Sequence, residues 1–113
     1  MTSSQAPIPL ACNTNAIEPD QREKHGQVTV ELSQKIRAVS ELANGYAFQF
    51  LNETPTLFKI AKFVSNERLC CPFLRFNLEV GAGNDPLRLS LTGPENIKEF
   101  LQAEFEDALK SRP

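Results

Sequence analysis

Two adjacent cysteines, Cys70 and Cys71, carry the clearest chemical signal in this sequence, in the string ERLCCPF at residues 67–73. Adjacent side chains on a helix diverge by about 100°, so we expect only one of the two thiols to lie deep on the core side. Cys71 continues an apolar stripe and could be a small core residue. Packing in the core then does not explain why the other residue of the pair, Cys70, is also a cysteine. A strained vicinal disulfide between the two is the least favoured alternative.

The third thiol, Cys12, precedes the first predicted helix. It is explained at least as readily by incidental packing as by function. If its segment folds over the end of the helix that carries Cys70 and Cys71, three sulfurs meet. Three sulfurs, or two with a nitrogen, suit soft ions such as Zn(II), Cu(I) or Hg(II). This metal hypothesis requires the Cys12 sulfur to lie within about 4 Å of Cys70 or Cys71.

Three further residues are candidates for the same site. His25, the sole histidine, could supply a nitrogen ligand, although a lone helical histidine is more often solvated or hydrogen-bonded. Glu67 and Arg68 precede the thiols and could orient them from outside the metal, or form an exposed pair near a helix end. The carbonyl end of a helix disfavours a bare thiolate and favours a cation. That position favours metal binding over a redox or nucleophilic thiol.

Composition argues against several functional classes. The 113 residues fit one domain, and a formal net charge of −2 without a basic block argues against nucleic-acid binding. No apolar stretch approaches the roughly 18 residues of a membrane span, and the N-terminus does not resemble a secretory signal. An odd number of cysteines in an unexported chain predicts free thiols rather than a disulfide framework. The predicted compartment is the cytoplasm.

The pattern of apolar residues predicts the scaffold of the site. Residues 1–11 are expected to form a flexible lead-in, and residues 12–113 a single α+β domain in the order α-ββ-α-ββ-α. Four short strands with one apolar side each predict a mostly antiparallel sheet with helices packed on one face. The predicted helices run from about Pro19 to about Lys35, from Thr54 as N-cap to Cys70, and from Pro94 onward.

Asn44 and Gly45 predict the turn of the first hairpin, because both tolerate a positive φ. A two-residue turn at this position places Val39 opposite Phe50. The second hairpin follows from the alternation of apolar residues around the turn cluster at residues 81–86.

The chain resembles a family of small, functionally uncharacterised bacterial proteins. The resemblance rests on an Ala-Cys-Asn start at residues 11–13, on Arg22 and His25 in the first helix, and on the strings at residues 44–48, 66–73 and 91–95. It spans nearly the whole chain from Cys12 onward, and the ERLCCPF string is its distinctive part. The resemblance implies no catalytic residues.

Three functional hypotheses remain open, in decreasing order. The first is a protein that binds or senses a soft metal ion through Cys70 and Cys71 together with Cys12. The second is a non-enzymatic interaction or dimerisation module, whose cysteines pack and whose exposed sheet edge or Phe-rich surface self-associates. The third is a thiol-dependent enzyme, in which one cysteine reacts much faster than the others.

Overall fold

The computed structural model describes residues 10–106 and residue 109, and it shows an α+β fold in the predicted order. The elements are a short 3-10 turn (Thr14–Ala16), α1 (Pro19–Gln34), β1 (Ala38–Leu42), β2 (Gly45–Phe50), α2 (Thr54–Cys70), β3 (Arg75–Val80), β4 (Leu87–Thr92) and α3 (Ile97–Glu104). Most of the predicted lead-in lies outside the described residues, so the domain boundary at residue 12 stays a prediction. Within the described ranges, no helix is long and apolar enough to cross a bilayer.

The four strands form one antiparallel sheet in the order β1-β2-β4-β3. Its central strands present one continuous apolar face, in which three directly opposed pairs are buried: Tyr46 with Leu91, Phe48 with Leu89, and Phe50 with Leu87. Apolar residues of α1 and α2, among them Leu32 and Phe63, belong to the same core. The prediction of an antiparallel sheet covered by helices on one side is therefore confirmed.

Prolines lie at the start of both long helices and just after the end of α2. Pro19 opens α1, because the first helical N–H groups have no partner within the helix and a proline there loses nothing. Pro55 lies one position further into α2 than predicted, since the N-cap is Glu53 rather than Thr54. The helix stops at Cys70, because Pro72 disfavours a helical conformation for the residue before it. Cys71 accordingly has φ −126° and ψ 75°.

The first hairpin differs from the prediction by two positions in register. Its turn residues are Ala43 and Asn44, and Gly45 pairs with Leu42, so Val39 faces Phe48 rather than Phe50. Gly45 does not have a positive φ. It is glycine because a Cβ there would collide with the backbone carbonyl of the neighbouring strand β4. A shift of two keeps every side chain on its predicted face.

The third helix begins three residues later than predicted. Pro94 and the two residues after it form a turn, closed by a bond from the Ile97 N–H to the Pro94 carbonyl (3.1 Å). Asn96 has φ 72°, which lies in the left-handed region and cannot belong to a right-handed helix. The helix therefore starts at Ile97.

Candidate functional site

The segment before α1 folds over the end of α2, as the metal hypothesis requires. The Asn13 N–H donates to the carbonyl of Cys70 at 2.8 Å. Arg22, in the second turn of α1, donates from Nε to the carbonyls of Thr14 (3.1 Å) and Ile17 (3.0 Å). Ile17 is itself almost fully buried. These contacts fix the segment that carries Cys12.

The three sulfurs meet at the end of α2. All three Sγ atoms lie within 4.8 Å of one another. The sulfurs of Cys12 and Cys71 lie at disulfide distance, with their Cα atoms 4.9 Å apart, and Cys70 is a free thiol. The required proximity of Cys12 is therefore confirmed. The expectation of three free thiols is not met, because two cysteines remote in sequence have Cα atoms close enough for a disulfide.

Cys70 and Cys71 are both buried, at 3% and 0% exposure, which corrects the expectation that only one of them lies deep. The expectation assumed helical geometry for both residues. Cys71 is instead the C-cap, with a non-helical backbone. The divergence of about 100° between adjacent helical side chains therefore does not apply to this pair.

Glu67 connects the thiols to the predicted histidine. It is buried, its Oε2 lies 3.4 Å from Cys71 Sγ, and its Oε1 lies 2.7 Å from His25 Nε2. A carboxylate only accepts, so the Nε2–H of His25 donates to it. The His25 ring also stacks on Phe63, with centroids 5.6 Å apart. The carboxylate of Glu67 therefore lies between Cys71 and His25, and its predicted role beside the thiols stays a prediction.

His25 and Arg68 are less closely tied to the sulfurs. The ligand atoms that lie close enough to share an ion come from the three cysteines, and His25 is not among them. Its Nδ1 is buried and finds no hydrogen-bond partner among the described residues. A ligand role for His25 therefore stays a prediction. Arg68 is exposed in the last turn of α2, and its predicted role beside the thiols also stays a prediction.

A second carboxylate was missed in the sequence. Glu104, at the end of α3, places Oε1 3.6 Å from Cys12 Sγ. No local pattern marks this residue, because the contact joins the two ends of the described chain. Glu67, by contrast, is a candidate from the sequence alone, because it lies three positions before Cys70.

The electrostatics of the site oppose free thiolates. Burial raises the pKa of the Cys70 thiol, and the negative charges of Glu67 and Glu104 raise it further. The backbone N–H of Asn13 partly offsets this effect. Without a cation, Cys70 is therefore protonated near neutral pH. A bound metal ion reverses this balance, since it deprotonates a coordinating thiol.

Comparison with known proteins adds no information about this site. No family model, no curated protein and no solved structure matches the chain. The resemblance carried by the ERLCCPF string stays a prediction.

Proposed function

We propose that the reduced protein binds a soft metal ion through the thiolates of Cys12, Cys70 and Cys71. The observation that carries this proposal is the convergence of the three sulfurs within 4.8 Å. In a tetrahedral zinc site, bonds of about 2.3 Å place two sulfurs about 3.8 Å apart. The longest sulfur–sulfur distance must therefore shorten by about 1 Å, and the sulfurs of Cys12 and Cys71 must move apart once they are reduced.

The charges around the sulfurs support a cation. Glu67 and Glu104 lie beside Cys71 and Cys12, and the site has no lysine or arginine hydrogen-bonded to a sulfur among the described residues. Three thiolates in this setting need positive charge to be stable. An all-sulfur ligand set selects Zn(II), Cu(I) or Hg(II) over hard cations such as Mg²⁺. Glu67 does not hydrogen-bond to a thiolate, but its carboxylate, held by His25 at 2.7 Å, adds negative charge beside Cys71 that favours a bound cation.

Thiol oxidation is the second candidate function, and the disulfide distance between Cys12 and Cys71 favours it. A small-molecule disulfide would take two electrons from the two thiols, yielding the Cys12–Cys71 bond and two equivalents of the small thiol. This reaction removes two of the three metal ligands. The oxidised and metal-bound forms are therefore mutually exclusive, and a reducing compartment such as the cytoplasm favours the metal-competent form.

Metal titration of the protein reduced under anaerobic conditions tests the proposal. We expect one equivalent of Zn(II) or Hg(II) to remain bound after desalting and to raise the melting temperature. Cobalt(II) in place of zinc should give thiolate-to-metal absorption that weakens in each of the variants Cys12→Ser, Cys70→Ser and Cys71→Ser. Lys62→Ala is the matched control, because this exposed residue lies on the same helix, two turns before the cysteines, and is no candidate for the site.

Two results would count against these functions separately. If the reduced protein retains no metal and its melting temperature does not respond to Zn(II) or Hg(II), the metal proposal is wrong. For the redox candidate, mild oxidation should consume two of the three thiols and link the peptides that contain Cys12 and Cys71. Loss of all three thiols, or linkage through Cys70, would exclude it.

A further inference from the structure

The outer edge of β3 is open and carries an apolar row. In the described part of the chain, β3 has β4 on one side and no strand on the other. Phe76, Leu78 and Val80 face the same side of the sheet as the buried leucines of β4, with which they pair. Leu78 and Val80 are nevertheless 38% and 52% exposed. The apolar face of the sheet thus continues past the helices to an unprotected edge.

The strand is complementary to itself when it pairs in an antiparallel orientation. With Asn77 at the centre, Arg75 of one copy lies opposite Glu79 of the other, and the two-fold axis generates this pair twice. Phe76 lies opposite Leu78 on the apolar side, also twice. Charged residues therefore meet opposite charges, and apolar residues meet apolar residues.

Neighbouring registers lack this match. If one copy slides along the other by one position, Arg75 lies opposite Val80 and Phe76 lies opposite Glu79. This register pairs polar with apolar residues and mixes the two faces of the sheet. A shift by two restores the faces but places Glu79 opposite Asn77. The charge pairs then disappear. One register alone satisfies both faces over the six residues of the strand.

We infer that two copies of this chain associate through β3, in the register centred on Asn77, to form a continuous eight-stranded antiparallel sheet. The two-fold axis is perpendicular to the sheet, so the helices of both copies lie on the same side. The exposed parts of Leu78 and Val80 are then flanked by the apolar row of the second copy. An exposed edge strand commonly drives association in this way.

Charge exchange tests both the surface and the register. Sedimentation velocity over a range of protein concentrations, with reductant present to exclude covalent dimers, should show a reversible dimer of the natural chain. Arg75→Glu and Glu79→Arg each place like charges opposite each other twice, and each should weaken association by at least about tenfold. An equimolar mixture of the two variants restores opposite charges at both positions, so it should form heterodimers.

Glu23→Arg is the matched control, because it changes the same charge on the exposed surface of α1. It should leave association unchanged. Glu79→Arg also removes a contact with Arg88, at 3.4 Å, so the melting temperature of each variant must be checked. A natural chain that stays monomeric at every concentration overturns the inference. Single variants that dimerise like the natural chain, or a mixture that stays monomeric, also overturn it.

Discussion

Joining Cys12 to Cys71 should stabilise the fold strongly, and the size of the effect follows from the chain topology. The two cysteines are 59 positions apart in sequence. Closing a loop of this length removes entropy from the unfolded chain and contributes about 4 kcal/mol in the chain-entropy model. This contribution does not depend on any contact that the folded protein makes.

The reduced protein recovers part of this difference. A thiol at Cys71 can donate to Glu67, and a thiol at Cys12 can donate to Glu104, whereas neither sulfur has a hydrogen in the disulfide. Thiols are weak donors, and we assign the two bonds together about 1 kcal/mol. The net stabilisation is then about 3 kcal/mol, which corresponds to about 12 °C in melting temperature for a chain of this size.

Urea unfolding of the oxidised and the reduced protein measures this difference directly. Cys12→Ser and Cys71→Ser should each unfold at the same urea concentration with and without oxidant, because neither can form the Cys12–Cys71 bond. Cys70→Ser keeps the disulfide-forming pair, so its oxidised and reduced forms should still differ by the full amount. Equal midpoints for the oxidised and reduced natural chain would refute the reasoning. Loss of the difference in Cys70→Ser would show that the pairing is wrong.

Further predictions concern glycine, the free thiol and the carboxylates. Gly45→Ala should lower the free energy of unfolding, measured in urea, by at least about 2 kcal/mol, because the added Cβ collides with the backbone of β4. Gly26→Ala should raise it by up to about 1 kcal/mol, because position 26 of α1 has open space for a Cβ and alanine favours the helix. In the oxidised protein the pKa of Cys70 is raised, so this thiol ionises at a lower pH in the unfolded chain than in the folded protein. The free energy of unfolding should therefore fall as pH rises above about 8.5, by an amount that Cys70→Ala removes. Glu67→Gln should lower the free energy of unfolding by about 1–2 kcal/mol and weaken metal binding about tenfold or more. The same change at Glu104, which is exposed, should have smaller effects on both quantities. Equal effects of the two glutamine variants would contradict a special role for the buried carboxylate.

Much of the scaffold could be predicted because its signals are local. The alternation of Leu87, Leu89 and Leu91 predicts a half-buried strand, and Pro72 predicts the end of α2 at Cys70. The order of elements and the single covered face of the sheet follow from such patterns. The predicted start of α3 was wrong because the sequence does not show that Asn96 adopts a left-handed conformation.

The site was less predictable because it depends on contacts between distant segments. The metal hypothesis requires Cys12 to meet the cysteine pair, but only the packing of the N-terminal segment on α2 shows that it does. Glu104 could not be found by any spacing rule. The need for glycine at position 45 likewise comes from a strand distant in sequence, whose carbonyl lies too close to Gly45 for a side chain.

The bond from the Asn13 N–H to the Cys70 carbonyl has a kinetic consequence. The last carbonyls of a helix have no partner within the helix, so the N-terminal segment satisfies one of them while it covers the thiol of the same residue. In the reduced protein, where no covalent bond joins Cys12 to Cys71, separation of residues 12–17 from α2 therefore uncovers the sulfurs without disturbing the sheet. Local opening of this kind costs less than global unfolding. The rates at which an ion or an oxidant enters and leaves the site should then follow the opening frequency of these few residues, independently of the stability of the domain.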